Sequence, residues 1–185
     1  MTVLPQWDYE MRHSRTIHSS QTAVWRAFSE LTPAQMPAVR ALFWARDVPA
    51  RLRGRQVTKL DDLPFAEGIR RAGFTLLAQT GQEHMEIGRI GKFWQLVPTA
   101  GPLFDDAAPF VAFAEPGWAK ATMTIDLAPV GDRATTVTMS TRVAGTDAES
   151  TRRFGRYWRL MEGGMGLVRT IMLRTISRRA DQLDN

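Results

Sequence analysis

The chain is predicted to fold as an α+β domain in which a curved antiparallel sheet wraps around one long C-terminal helix. Two patterns predict this. From Phe154 onward the apolar residues run Phe154, Tyr157, Trp158, Met161, Met165, Val168, Met172, Ile176, Ala180, Leu183. Steps of three or four keep such side chains on one helix face, and a stripe this long needs a concave apolar partner. Just upstream, Ala119, Ala121, Met123, Ile125 and Leu127 alternate with Lys120, Thr122, Thr124 and Asp126, and Val137, Met139, Thr141 and Val143 alternate with polar neighbours. Period-two alternation predicts strands with one buried and one wet face. At 185 residues, 44% apolar and 23% charged, the chain is long enough for one substantial core, so residues 1–185 are expected to form a single domain.

The remaining elements follow in order. Tyr9–His18 reads as a first strand. Ser19 and Ser20 suit the cap of a helix through Leu31, whose face carries Val24, Trp25, Ala27, Phe28 and Leu31. Pro37 suits the first turn of a second helix with Val39, Leu42, Phe43 and Ala45, ended by Pro49. A polar connection through Arg51–Arg55 and Asp61-Asp62 leads to a short third helix over Leu63–Ala72, stopped at Gly73. Strands are predicted at Phe74–Thr80, His84–Ile90, Phe93–Val97 and Phe110–Ala114, with a loop across Pro98–Pro109. Trp118–Ala128 and Ala134–Val143 then form a hairpin about Val130-Gly131-Asp132. Thr146-Asp147 caps the final helix, where Gly163-Gly164-Met165-Gly166 is a weak stretch expected to bend rather than break it.

Composition excludes several chemistries. Without cysteine there are no disulfides, thiolate nucleophiles, cysteine-ligated zinc sites or iron–sulfur clusters. No apolar run approaches the roughly 20 residues that span a bilayer. The opening MTVLPQWDYEMRH has no basic region followed by an apolar core, so no signal peptide and a cytoplasmic location are expected. The charge of +5 rests on 21 Arg and only Lys59, Lys92 and Lys120. These arginines are dispersed among acids over most of the chain, which fits a compositional bias better than a phosphate-binding surface.

Several phrases carry a family resemblance: Arg12-His13-Ser14 with Val24-Trp25, Gly88-Arg89-Ile90-Gly91-Lys92-Phe93-Trp94, Phe113-Ala114-Glu115-Pro116-Gly117-Trp118-Ala119-Lys120, and Tyr157-Trp158-Arg159-Leu160. So does the end from Leu167-Val168-Arg169 through Ser177-Arg178-Arg179-Ala180. Together with the element order they resemble the START-like, or SRPBCC, superfamily, in a bacterial branch of unassigned function. The resemblance implies a helix-grip fold. It spans lipid carriers, polyketide cyclases and non-catalytic binders, so it implies no catalytic residue.

Candidate site residues follow from chemistry. Trp94, Trp118, Met123, Met139, Tyr157, Trp158, Met161 and Met165 would make a tolerant apolar lining between sheet and helix, because methionine adapts its shape and tryptophan is amphipathic. Ordinary core filling is the plainer role for any one of them. The leading expectation is therefore binding of a small hydrophobic, lipid- or polyketide-like molecule. The alternative is a cyclase- or dehydratase-type enzyme using His13, Tyr157 or Glu115 as acid or base. A third reading is an interaction surface on the helix face bearing Arg152, Arg153, Arg156, Arg159, Arg169, Arg174, Arg178 and Arg179. A solvated helix face explains those residues more simply, and no nucleic-acid partner is expected. His13, His18 and His84 lack metal-ligand spacing, so neither metal nor cofactor is expected. His84 and Glu86 share a strand face and are placed to decorate a solvated surface rather than to transfer protons. No Gly-x-Ser-x-Gly elbow or dinucleotide fingerprint is present.

Overall fold

The computed structural model describes residues 2–41, 63–71 and 73–184, without the side chains of residues 66 and 67. Its elements are β1 (Tyr9–Ile17), α1 (Gln21–Ser29), a 3-10 turn (Pro33–Gln35), helical residues 37–41 (α2) and α3 (Phe65–Arg71). There follow β2 (Thr75–Thr80), β3 (His84–Lys92), β4 (Thr99–Ala100), α4 (Ala107–Ala112), β5 (Ala119–Pro129), β6 (Thr135–Gly145) and α5 (Ala148–Leu183). The predicted end of the second helix at Pro49 and the connection through Asp61-Asp62 lie outside the described residues.

The strands form one antiparallel sheet in the order β1-β6-β5-β3-β2, with β4 paired to the end of β3. Gly131, at φ +71°, turns β5 into β6, a backbone conformation open to glycine and strained for other residues. The register pairs Ala121 with Val143 and Ile125 with Met139, so the apolar halves of both alternating patterns share one face. On that inner face lies α5, packed on α1, β1 and β6 and only marginally on β5. The expected helix-grip α+β fold is present.

α5 is continuous through Gly163, Gly164 and Gly166. Its ends are tied down. At the start the Asp147 carboxylate accepts the backbone N–H groups of Gly117 and Ser150 and the Ser150 hydroxyl. Near the far end Ser19 donates to Asp181, while Ser20 donates its backbone N–H and hydroxyl to Asp184. Between these anchors, two apolar clusters fill the inner face. One joins Val24, Ala27 and Phe28 of α1 with Met85, Ile87, Ile125, Val137 and Met139 of the sheet and Met172, Leu173 and Ile176 of α5. The other joins Met11, Ala119 and Val143 with Phe154 and Trp158.

Three expectations are corrected. Residues Phe110–Ala114 are not a strand: Ala107–Ala112 is the helix α4, which seats Phe110 on the sheet. Phe93–Val97 is turn and bend, because β3 continues across Gly91 to Lys92 and stops there. The polar face of the sheet is also not simply wet. Glu86, Thr122, Thr124 and Ser140 are buried on it. Gly88 shares that face, and a methyl group there would sit 2.6 Å from Leu77 Cδ1 and 2.7 Å from Phe110 Cζ. α4 thus packs directly on bare backbone. The N-terminal residues add cover, with Thr2 Oγ1 and the Val3 N–H donating to the Glu86 carboxylate at 3.0 and 2.8 Å. Alternation reports which side chains are polar, but it does not report what later packs over them.

Candidate functional site

The inner face is divided by a polar seam. Strand alternation aims Met11, His13, Met139 and Thr141 toward α5, and the register sets Met11 beside Thr141 and His13 beside Met139. Above them passes the glycine-rich stretch of α5. A methyl group at Gly166 would lie 3.6 Å from His13 Nε2, so the imidazole sits directly beneath this part of the helix. One turn further on, Arg169 turns inward and is 6% exposed. Its Nη1 donates to the Met139 and Met11 carbonyls at 3.1 and 3.3 Å, and its Nη2 donates to Thr141 Oγ1. Burial lowers its pKa to about 10, which still leaves it protonated at neutral pH. The expectation that Arg169 belongs to the solvated arginine face is corrected. His13 Nδ1 is buried and has no hydrogen-bond partner among the described residues.

Beside the seam, α5 carries a half-buried flank. Tyr157, Met161, Gly164, Val168 and Ile171 follow one another at steps of three or four, next to the fully packed Phe154, Trp158, Met172 and Ile176. On the sheet, Ala121 and Met123 of β5 are likewise only partly buried, since α5 leans toward β1 and β6. This strip of incompletely covered apolar surface is the best candidate for ligand contact.

The structure separates the eight predicted lining residues. Met123 and Met139 border an internal void of about 10 Å³ with Phe28, Phe65, Met85 and Ile87. Trp94, Tyr157 and Met165 are half-buried members of the second inner cluster, and Trp158 is fully packed within it. Aromatic contacts brace that cluster, with Tyr9 to Phe154 at 5.5 Å and Phe154 to Trp158 at 5.8 Å between ring centroids. Met161 is half-buried on the flank of α5. Trp118 lies apart, over the opposite face of the sheet, against Phe113 at 6.3 Å and under Lys92 Nζ at 4.6 Å.

Of the acid–base candidates, His13 is in the seam and Tyr157 is a half-buried member of the second inner cluster, whereas Glu115 is exposed. His84 and Glu86 do not act on one another. His84 Nδ1 meets Asp126 Oδ1 at 2.6 Å across the β3–β5 pairing, and Glu86 is engaged by the N-terminal residues. Asp126 went unnoticed in the sequence because its pairing depends on register.

Sequence reasoning also missed Arg169, although a signal was present. The series Phe154, Trp158, Met161, Met165, Arg169, Met172, Ile176, Ala180 steps by threes and fours as well as the series through Val168 does. Periodicity alone does not choose between neighbouring positions, and hydropathy chose valine.

No family model and no curated protein matches the chain. Among solved structures, a conserved protein from Geobacillus kaustophilus is 12% identical with a TM-score of 0.45, covering 96% of this chain and 98% of that one. A point mutant of norcoclaurine synthase from Thalictrum flavum, in complex with a transition-state analogue, is 13% identical with a TM-score of 0.44, covering 96% of each chain. Overlays this loose carry no conclusion about chemistry. The fold class rests on the sheet order and helix described above.

Proposed function

We propose that the protein binds a small hydrophobic molecule, lipid- or polyketide-like, on the inner face of its sheet beside α5. It would do so as a single domain over residues 1–185, in the cytoplasm, as one of the bacterial START-like proteins. One observation carries the reading: the half-buried apolar flank of α5 lies next to the half-buried Ala121 and Met123 of β5. Among the described residues the void beside Met123 and Met139 has room for about one water, so a ligand there would displace side chains. Met123, Met161 and Met165 suit that task, being unbranched and easily re-posed. Each Å² of apolar surface removed from water supplies about 25 cal/mol, enough for micromolar affinity with a medium-sized ligand once binding costs are met.

Trp94 and Trp158 lie in the second inner cluster and would report occupancy. Apolar ligands at micromolar concentration are expected to change tryptophan fluorescence and raise the melting temperature. A broad panel that does neither would remove the carrier reading. The cyclase or dehydratase reading draws support from one feature, the unpartnered and buried Nδ1 of His13. It would need turnover of a bound polyketide-like substrate that His13→Gln abolishes without loss of binding.

A further inference from the structure

Arg169 is a buried cation without a counter-ion among the described residues. Its partners are two backbone carbonyls and a threonine hydroxyl, all neutral, and no carboxylate among the described residues is paired with it. Carbonyl dipoles offset part of the desolvation cost of a guanidinium, but they do not neutralise it, and charges kept this deep are ordinarily paired. A guanidinium presents five N–H donors in a planar fork that matches a carboxylate. Nearby, the His13 imidazole lies beneath Gly166 with Nε2 toward the helix, and its Nδ1 is buried with no partner among the described residues. Thr141, which Arg169 bonds, is paired with Met123 of β5, so the guanidinium lies at the edge of the half-buried strip.

We propose that the ligand is a carboxylic acid whose ionised head is seated between Arg169 and His13, with its apolar body along Met123, Tyr157 and Met165. This rests on the inner-face binding reading above and narrows its ligand class. Arg169 then has two tasks, holding α5 onto β1 and β6 through neutral acceptors and supplying the charge that selects an acid over its neutral analogues.

The test compares dodecanoate with dodecanol and methyl dodecanoate at submicellar concentrations, by calorimetry and tryptophan fluorescence. Wild-type protein is expected to prefer dodecanoate by about tenfold or more, the difference between a charge-assisted and a neutral hydrogen bond. Arg169→Met should lose the preference, binding dodecanoate no more tightly than dodecanol. Arg169→Lys, which keeps the charge without the fork, should retain part of it. Should Arg169→Met fail to fold, carboxyl-13C dodecanoate bound to wild type decides by NMR. A carboxylate on Arg169 stays ionised to lower pH than the free acid, and one that titrates like the free acid overturns the proposal. Equal affinity for acid and alcohol in wild type also overturns it, leaving inner-face binding intact and Arg169 as a strut only. If none of the three compounds binds, the inner-face reading itself falls.

Discussion

Trp158 and Arg159 are neighbours in sequence with opposite fates. Trp158 is 6% exposed and packs against Tyr9 and Phe154, while Arg159 is exposed on the far side of α5. Trp158→Ala is expected to cost about 3–5 kcal/mol in denaturant unfolding, the range for truncating a buried aromatic. Arg159→Ala is expected to stay within about 0.5 kcal/mol. The contrast isolates packing from helix propensity, and equally mild effects would mean that α5 is not gripped by the sheet. Arg169, ten residues on, shows how far a side chain's type can mislead about its place. Its fork donates to two strand carbonyls and a hydroxyl, contacts that leucine or valine could not make.

At the scale of elements, α5 depends on its cap. The backbone N–H groups of Gly117 and Ser150, then the Ser150 hydroxyl, hold the Asp147 carboxyl well below its usual range, at about 2. A depressed carboxylate adds stability above its unfolded pKa of 3.8 and loses it as pH falls through about 2. Because Asp147 bonds Gly117 as well as Ser150, it joins the approach to β5 with the start of α5. Asp147→Asn should therefore be less stable than wild type at neutral pH, and the gap should close toward about pH 2. Urea unfolding of both proteins at the two pH values checks this, and a gap independent of pH would refute it. α4 teaches a different lesson. Its last three residues fall in the segment Phe110–Ala114 that local pattern predicts as a strand, since Phe110, Val111 and Phe113 are strong β formers. The seat of Phe110 on the bare backbone of Gly88 decided otherwise.

At the scale of the whole molecule, four of the eight arginines on the final helix are engaged within the described residues. Arg152 and Arg153 both pair with Glu149, at 2.6 and 2.7 Å, Arg179 pairs with Glu30, and Arg169 is inside. Duplex DNA is therefore expected not to bind measurably at about 0.15 M salt in fluorescence anisotropy. Binding that persists there, and is lost in the triple variant Arg152→Gln, Arg156→Gln, Arg159→Gln, would restore the surface reading. No helix among the described residues is long and apolar enough to cross a membrane.

The sequence by itself determined the fold class, the strands with clean alternation and the long helix. Periodicity and capping are local properties of the chain, and Ser20 and Asp147 cap where their residue types indicate. It also pointed to several residues that pack between sheet and helix, Met123, Met139 and Trp158 among them. Only the tertiary structure decided the rest. Trp118 went to the far side of the sheet, and Glu86 was buried by an N-terminal segment more than eighty residues away. His13, Thr141 and Arg169, distant in sequence, met in one seam. These outcomes depend on strand register and on which element covers which face. Both are set by contacts between segments far apart in the chain, where local pattern carries no information.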